Sequence, residues 1–166
     1  TTEIYTLSLH DALPIWTGSV DFVVGGCGTG QGFLNSVLQY PGVSCGHIVT
    51  PLDAWLFARI NGGNCVSLPL NQGYGWAGDV NLKLVFDSLF TPDFGQGYPE
   101  RRREPQRVSR ELLVGISKTS HRTLDEIVRM LPDEVVVPAI TYPGFRETLG
   151  SGVNAITAAV DSRMGR

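Results

Sequence analysis

Cysteine is scarce: three thiols in 166 residues, at positions 27, 45 and 65. None forms a Cys-x-x-Cys pair or stands at metal-ligand spacing from a histidine, so neither a disulfide framework nor a zinc site is expected. Charge is sparse too, at 17% of residues with a formal net charge of −3. That excludes the basic stripe by which a chain grips nucleic acid. No apolar run approaches the ~20 residues of a membrane helix, and no signal peptide is visible. These absences leave a globular chain in a reducing, cytoplasmic setting as the expectation. No metal, cofactor, nucleic acid or membrane is called for.

The first fifteen residues stand apart. TTEIYTLSLHDALPI is what fifteen consecutive codons of a common short-read sequencing adapter encode. Residues 1–15 are therefore expected to be a fusion scar, as a tag would be. They were not selected with the rest, so consistent capping and burial are not expected of them. His10 and Asp11 lose any claim to function. On this reading the protein proper starts near Thr17, in mid-domain.

What is there begins at Asp21-Phe-Val-Val24, a short apolar run that reads as a buried strand. Gly25-Gly-Cys-Gly-Thr-Gly-Gln-Gly32 follows directly. Glycines let the backbone turn sharply and leave its N–H groups uncovered. Phe33, Leu34, Val37 and Leu38 then recur at helical spacing, so the loop feeds a helix N-terminus. Free amides at the positive end of a helix dipole suit an anion. One thiol, Cys27, sits at the centre of that cradle beside the hydroxyl of Thr29.

From 20 to 90 the pattern is strand then helix, three times over. Strands are expected over 21–25, 42–49 and 64–68. Pro51 opens a helix with Leu52, Trp55, Leu56 and Ile60 on one face. A later helix carries Trp76, Val80, Leu84, Val85 and Leu89. Such alternation predicts a parallel sheet covered by helices on both faces. Beyond Phe94 comes a charge run, Glu100-Arg-Arg-Arg-Glu104, which reads as a solvated helix face. Helices are expected over 107–118 and 120–131. The tail past Pro138, with Tyr142-Pro-Gly144 and Gly150-Ser-Gly152, reads as loop and then as weak helix over 153–163.

Two enzyme classes carry such a loop. Many S-adenosylmethionine-dependent methyltransferases have GCGTG after their first strand, with an acid two residues before it and a carboxylate ending the next strand. Here Val24 holds the first position, and the next strand ends His47-Ile-Val-Thr50. The dinucleotide pattern GxGxxG also fails. The stretch from Asp21 to about Phe90 instead resembles the ribose-5-phosphate isomerase B / galactose-6-phosphate isomerase family. The resemblance rests on GCGTGxG at 26–32, Pro41-Gly42 one helix later, and Asn61-Gly-Gly-Asn64 before the third strand. Gly73-Tyr-Gly-Trp-Ala77 and Gly97-Tyr-Pro-Glu-Arg101 are similar to a longer-tailed branch of that family.

The resemblance implies a three-layer α/β/α sandwich with a Rossmann-like parallel sheet, whose N-terminal strands would precede Trp16. It divides the chain into a partial isomerase domain over 16–94 and a C-terminal helical extension over 95–166. It further implies aldose–ketose isomerisation of a small phosphorylated sugar through an enediolate in the full-length parent, with this fragment alone expected to be inactive. Cys27 would be the proton-transfer base, since a helix N-terminus lowers a thiol's titration. Thr29 would bond the base or the substrate. Gly26, Gly28, Gly30, Gln31, Gly32 and Asn61 would hold the sugar, with the amides of 28–32 stabilising the oxyanion. Some members carry a Glu base where Gln31 stands, and an amide cannot replace it. The family's ring-opening histidine falls on Ile60. Of its phosphate-gripping arginine pair, one position is Tyr98 and the other Arg102, with Arg101 and Arg103 as neighbours. Homodimers or homotetramers with shared sites are implied. A non-catalytic sugar-phosphate-binding subunit is the alternative of another class. His47, His121 and Cys45 have no motif behind them and read as structural.

Overall fold

The computed structural model describes the backbone of residues 2–149 and 154–165, and the side chains of 9–149 and 154–165. Strands β1 (Val23–Cys27), β2 (Cys45–His47) and β3 (Cys65–Pro69) form one parallel sheet in the order β1-β3-β2. Val23 pairs with Cys65 and Cys27 with Pro69, while Cys45 and His47 pair with Cys65 and Ser67. β3 is central and every residue of it is buried, as a parallel strand covered on both faces requires.

The layers follow from the alternation of β3. Cys65 packs with Phe33 and Val37 of α2 (Gln31–Val37) on one face. Val66 and Leu68 meet Ala54 of α3 (Pro51–Leu56) and Val85 and Leu89 of α4 (Gly78–Phe90) on the other. The arrangement is an α/β/α sandwich of Rossmann-like type, as expected. β1 lies two residues further along than its apolar run suggests. A Cβ on Gly25 would collide with the Phe33 ring, and one on Gly26 with the Leu68 carbonyl. The glycines therefore belong to the strand, because only bare backbone fits between α2 and β3. Cys27 becomes the last strand residue.

Thr50 caps α3: its hydroxyl accepts from the Asp53 amide at 3.2 Å, and its own amide donates to Asp53 Oδ2 at 2.8 Å. Reciprocal caps of this kind satisfy two orphan donors. α3 runs into a π turn, Phe57–Asn61. The buried face is Ala54, Phe57 and Ala58, and Leu52 is exposed. The expected face is thus rotated, because α4 lies against the other side of the helix. α4 starts at Gly78, which leaves Trp76 outside it and 99% exposed.

A 3-10 turn, Glu100–Arg102, leads into α5 (Arg103–Ser120), which buries no residue. Arg110 ties it down by donating to the Ile60 and Gly95 carbonyls at 2.8 and 2.6 Å. The rest is α6 (Leu124–Met130), α7 (Asp133–Ile140), α8 (Phe145–Leu149) and α9 (Ala155–Arg163). α7 and α8 correct the loop expected past Pro138; Val136, Ala139, Ile140 and Phe145 form helices because they bury together. Gly150-Ser-Gly152 lies outside the described residues.

The N-terminal segment also departs from expectation. Thr2–Thr17 is a helix, α1, packed between α2 on one side and α7 and α8 on the other, and Leu9, Ala12 and Leu13 are fully buried. Their i, i+3, i+4 spacing presents an apolar stripe whatever its origin, and it joins the core cluster that α7 and α8 help to form. No described helix is long and apolar enough to cross a membrane.

Candidate active site

The strand-to-helix loop is pinned from three sides. The Gly30 amide donates to the Cys27 carbonyl at 3.1 Å, closing a tight turn. Ser67 Oγ donates to the Gly30 carbonyl at 2.5 Å from its buried place on β3. Beyond β3, the Leu70 amide donates to the Cys27 carbonyl at 2.8 Å and the Asn71 amide to that of Gly28 at 2.9 Å. Gly30 has φ +76, the left-handed region glycine enters without penalty. A Cβ there would lie 2.5 Å from His47 Nε2, and one on Gly28 would lie 2.8 Å from Asn71 Nδ2. Bare backbone at 28 and 30 is what lets these two side chains approach.

At the end of β1 the Cys27 thiol is half-buried. Burial is the largest single influence on it and pushes its titration up. The backbone N–H groups of Phe33, Thr29, Gly32 and Gly30 act against burial, and together they hold the thiol below its ordinary range. Donors aimed at a charged acceptor favour that charge. The thiolate is therefore stabilised by the loop's own amides, with no cationic side chain among the influences that lower it. Thr29 supplies one of these amides, and its hydroxyl accepts from the Gln31 amide at 3.4 Å.

His47 belongs to this constellation. Its Nε2 lies 3.0 Å from the Thr29 carbonyl, and its Nδ1 lies 3.3 Å from Gln31 Nε2. A carbonyl only accepts, so Nε2 carries a proton, and Nδ1 accepts from the amide nitrogen of Gln31. The Nε2–H tautomer satisfies both contacts at once. Sequence reasoning gave His47 no role. Its position was the available signal: it is the last residue of β2, and α/β sheets bind ligands beyond the carboxyl ends of their strands. Ser67 and Asn71 were missed as well, and no local motif marks either.

Other expected residues lie apart. Asn61 closes the π turn before β3, near the opposite end of the sheet. It lines a groove of about 290 Å³ that runs along β2 to His47. A second cavity, about 680 Å³, opens between α5 and the lead-in to β2, lined by Trp16, Val43, Cys45, Asn61 and Leu113 among others. Its size fits a ligand site, yet neither Cys27 nor any residue of the 28–32 loop lines it. Arg101 and Arg102 are exposed on the 3-10 turn. That turn follows Gly97 and Tyr98, which dock on the α3 and π-turn side through a Gly97 amide bond to the Arg59 carbonyl and a ring contact from Tyr98 to Trp55. Among the described residues nothing bonds either arginine to the glycine loop, and no cluster of three His, Cys, Asp or Glu side chains could hold a metal ion.

No family model matches the sequence, and no curated protein does; the folded chain carries the comparison. A 4-deoxy-L-threo-5-hexosulose-uronate ketol-isomerase, solved with a tartrate, is 31% identical with a TM-score of 0.92, over 98% of this chain and 78% of its own. A ribose-5-phosphate isomerase from Vibrio parahaemolyticus is 36% identical with a TM-score of 0.91, over 96% of this chain and 76% of its own. The chain belongs to the ribose-5-phosphate isomerase B / galactose-6-phosphate isomerase family. It is a sugar isomerase, acting between aldose and ketose forms. This likeness overrides the methyltransferase alternative, which Val24 and the acid-free end of β2 already disfavoured.

Proposed function

We propose that the chain interconverts the aldose and ketose forms of a small phosphorylated sugar, with the Cys27 thiolate as proton-transfer base. The thiolate takes the proton from the carbon beside the carbonyl, the electrons move onto the carbonyl oxygen, and an enediolate forms. The proton then returns to the neighbouring carbon. Amides of the 28–32 loop serve as the oxyanion donors; one such donor is worth roughly 3–4 kcal/mol of barrier. Thr29 bonds the base or the sugar, and Gly26, Gly28, Gly30, Gln31 and Gly32 shape the cradle. The place of the half-buried Cys27 thiol at the end of β1, at the head of the glycine loop that feeds α2, is the observation that carries this reading. A reducing, cytoplasmic compartment suits a site built on a free thiol.

In this reading Asn61, Arg101 and Arg102 serve the sugar's far end and its phosphate from a neighbouring subunit, in a homodimer or homotetramer. Support comes from the place of Asn61 near the other end of the sheet and from the docking of the arginine turn beside α3, with no bond to the glycine loop among the described residues. Residues 16–94 are then the catalytic unit and 95–166 an extension that carries the phosphate-binding residues. The position of the family's ring-opening histidine is Ile60, which favours a linear or readily opened sugar.

The test is turnover of pentose and hexose phosphates by the full chain and by Cys27→Ala. Loss of turnover with retained sugar-phosphate binding in the variant supports the assignment. Undiminished turnover in Cys27→Ala overturns the base. Binding without turnover by the unmodified chain points to the non-catalytic subunit instead.

A further inference from the structure

Cys45 and Cys65 have no part in that chemistry, yet the fold sets them side by side. They are register partners on β2 and β3. Adjacent strands lie about 4.8 Å apart, within the roughly 4.4–6.8 Å Cα separation that a disulfide spans. Cys45 Sγ donates to the Gly46 carbonyl at 3.9 Å, and the neighbouring Cys45 side chain, then burial, pushes the Cys65 thiol up. Cys65 is 0% exposed, whereas Cys45 is half-buried and lines both the 680 Å³ and the 290 Å³ cavities. One thiol of the pair is open to a small reagent, and the other waits behind it.

We propose that Cys45 and Cys65 form a reversible dithiol–disulfide pair that reacts with hydrogen peroxide. Cys45 Sγ, as thiolate, attacks one peroxide oxygen; the O–O bond breaks and water leaves once the departing hydroxide is protonated. Cys45 is then a sulfenic acid, oxidised by two electrons. Cys65 Sγ displaces its hydroxyl group, which departs as water with the Cys65 proton, and the S–S bond forms. Two thiols and one peroxide give one disulfide and two waters.

A disulfide needs the two Cβ atoms about 3.8 Å apart, and β2 can adjust to that because it is a three-residue strand paired on one side only. Cys27 is not a competitor for the bond. It sits in register with Pro69, four residues along β3 from Cys65, a separation of roughly 13 Å at the strand rise.

The experiment treats the full chain with hydrogen peroxide, blocks remaining thiols with N-ethylmaleimide under denaturing conditions, and maps peptides by mass spectrometry. A linked pair carrying Cys45 and Cys65 is expected, lost on dithiothreitol treatment and retained in Cys27→Ala. In Cys65→Ser the pair disappears and dimedone traps Cys45 instead. Should Cys65→Ser fail to fold, Cys45→Ser gives the complementary result, with Cys65 recovered unoxidised. Recovery of Cys45 and Cys65 as maleimide adducts while Cys27 is oxidised would overturn the proposal. So would a linked pair that contains Cys27, or oxidation of Cys65 in Cys45→Ser.

Discussion

His47 Nε2 donates to the carbonyl oxygen of Thr29 across 3.0 Å, joining the end of β2 to the glycine loop that follows β1. The same ring receives Gln31 through Nδ1. One imidazole thus fixes two loop residues on either side of Gly30, and the loop's amides are what hold the Cys27 thiolate. Order in the loop and acidity of the thiol are one property.

The titration of Cys27 gives the first prediction. The folded thiol titrates below its unfolded value, so the thiolate fraction that drives turnover appears at lower pH than for a free cysteine. The rising limb of kcat/KM should have its midpoint below about 8.5, the free-thiol value, and iodoacetamide alkylation of Cys27 should trace the same limb. The associated stability is complete above the unfolded pKa and is lost as pH falls through the folded one. Cys27→Ala should therefore cost more stability at alkaline pH than at pH 6. A limb at or above the free-thiol value would contradict the role of the amides.

His47→Ala should act through position. Loss of its two hydrogen bonds to the loop is worth about 1 kcal/mol each, so kcat should fall roughly thirtyfold while KM changes little. The Cys27 limb should also shift upward, because loosened amides stabilise the thiolate less. An unmoved pH profile would make His47 a packing residue only.

Gly30→Ala meets two penalties. A non-glycine residue held in the left-handed region costs about 1–3 kcal/mol, and the added Cβ runs into His47. Urea denaturation should show a loss in that range or beyond, together with reduced turnover. A neutral result would mean that the turn is not held as described.

Leu13 tests the N-terminal helix. It is fully buried in the core cluster where α1 meets α7 and α8, so Leu13→Ala should cost roughly 2–5 kcal/mol. If α1 lies outside the cooperative fold, as its adapter-like sequence suggests, the substitution leaves the denaturation midpoint unmoved.

Shared sites predict complementation. Cys27→Ala and Arg102→Ala should each be impaired alone, the first in kcat and the second in KM. After mixed refolding of a symmetric dimer, random pairing leaves roughly a quarter of sites with both native residues, and activity should recover to about that fraction. No recovery would place both residues in one subunit's site.

The three strands, their parallel sense and the loop between β1 and α2 were legible in the chain itself. Short apolar runs, glycine, and helical spacing after Gly32 act locally, within a few residues of backbone. Cys27 and Thr29 could be named because the motif that contains them is contiguous. Local signals misplaced β1 by two residues, since Gly25 and Gly26 read as loop until Phe33 and Leu68 are set against them. They also missed α7 and α8, whose apolar residues become helical by burial against α1, α6 and α9 and not by strong propensity. His47, Ser67 and Asn71 reach the loop from 16 or more residues away along the chain, and no spacing rule records such a distance. The pairing of Cys45 with Cys65 is likewise a matter of register between β2 and β3. Sequence determined which backbone can turn and which residues can react; only the tertiary structure decided which of them meet, because contact across a sheet depends on strand order and register.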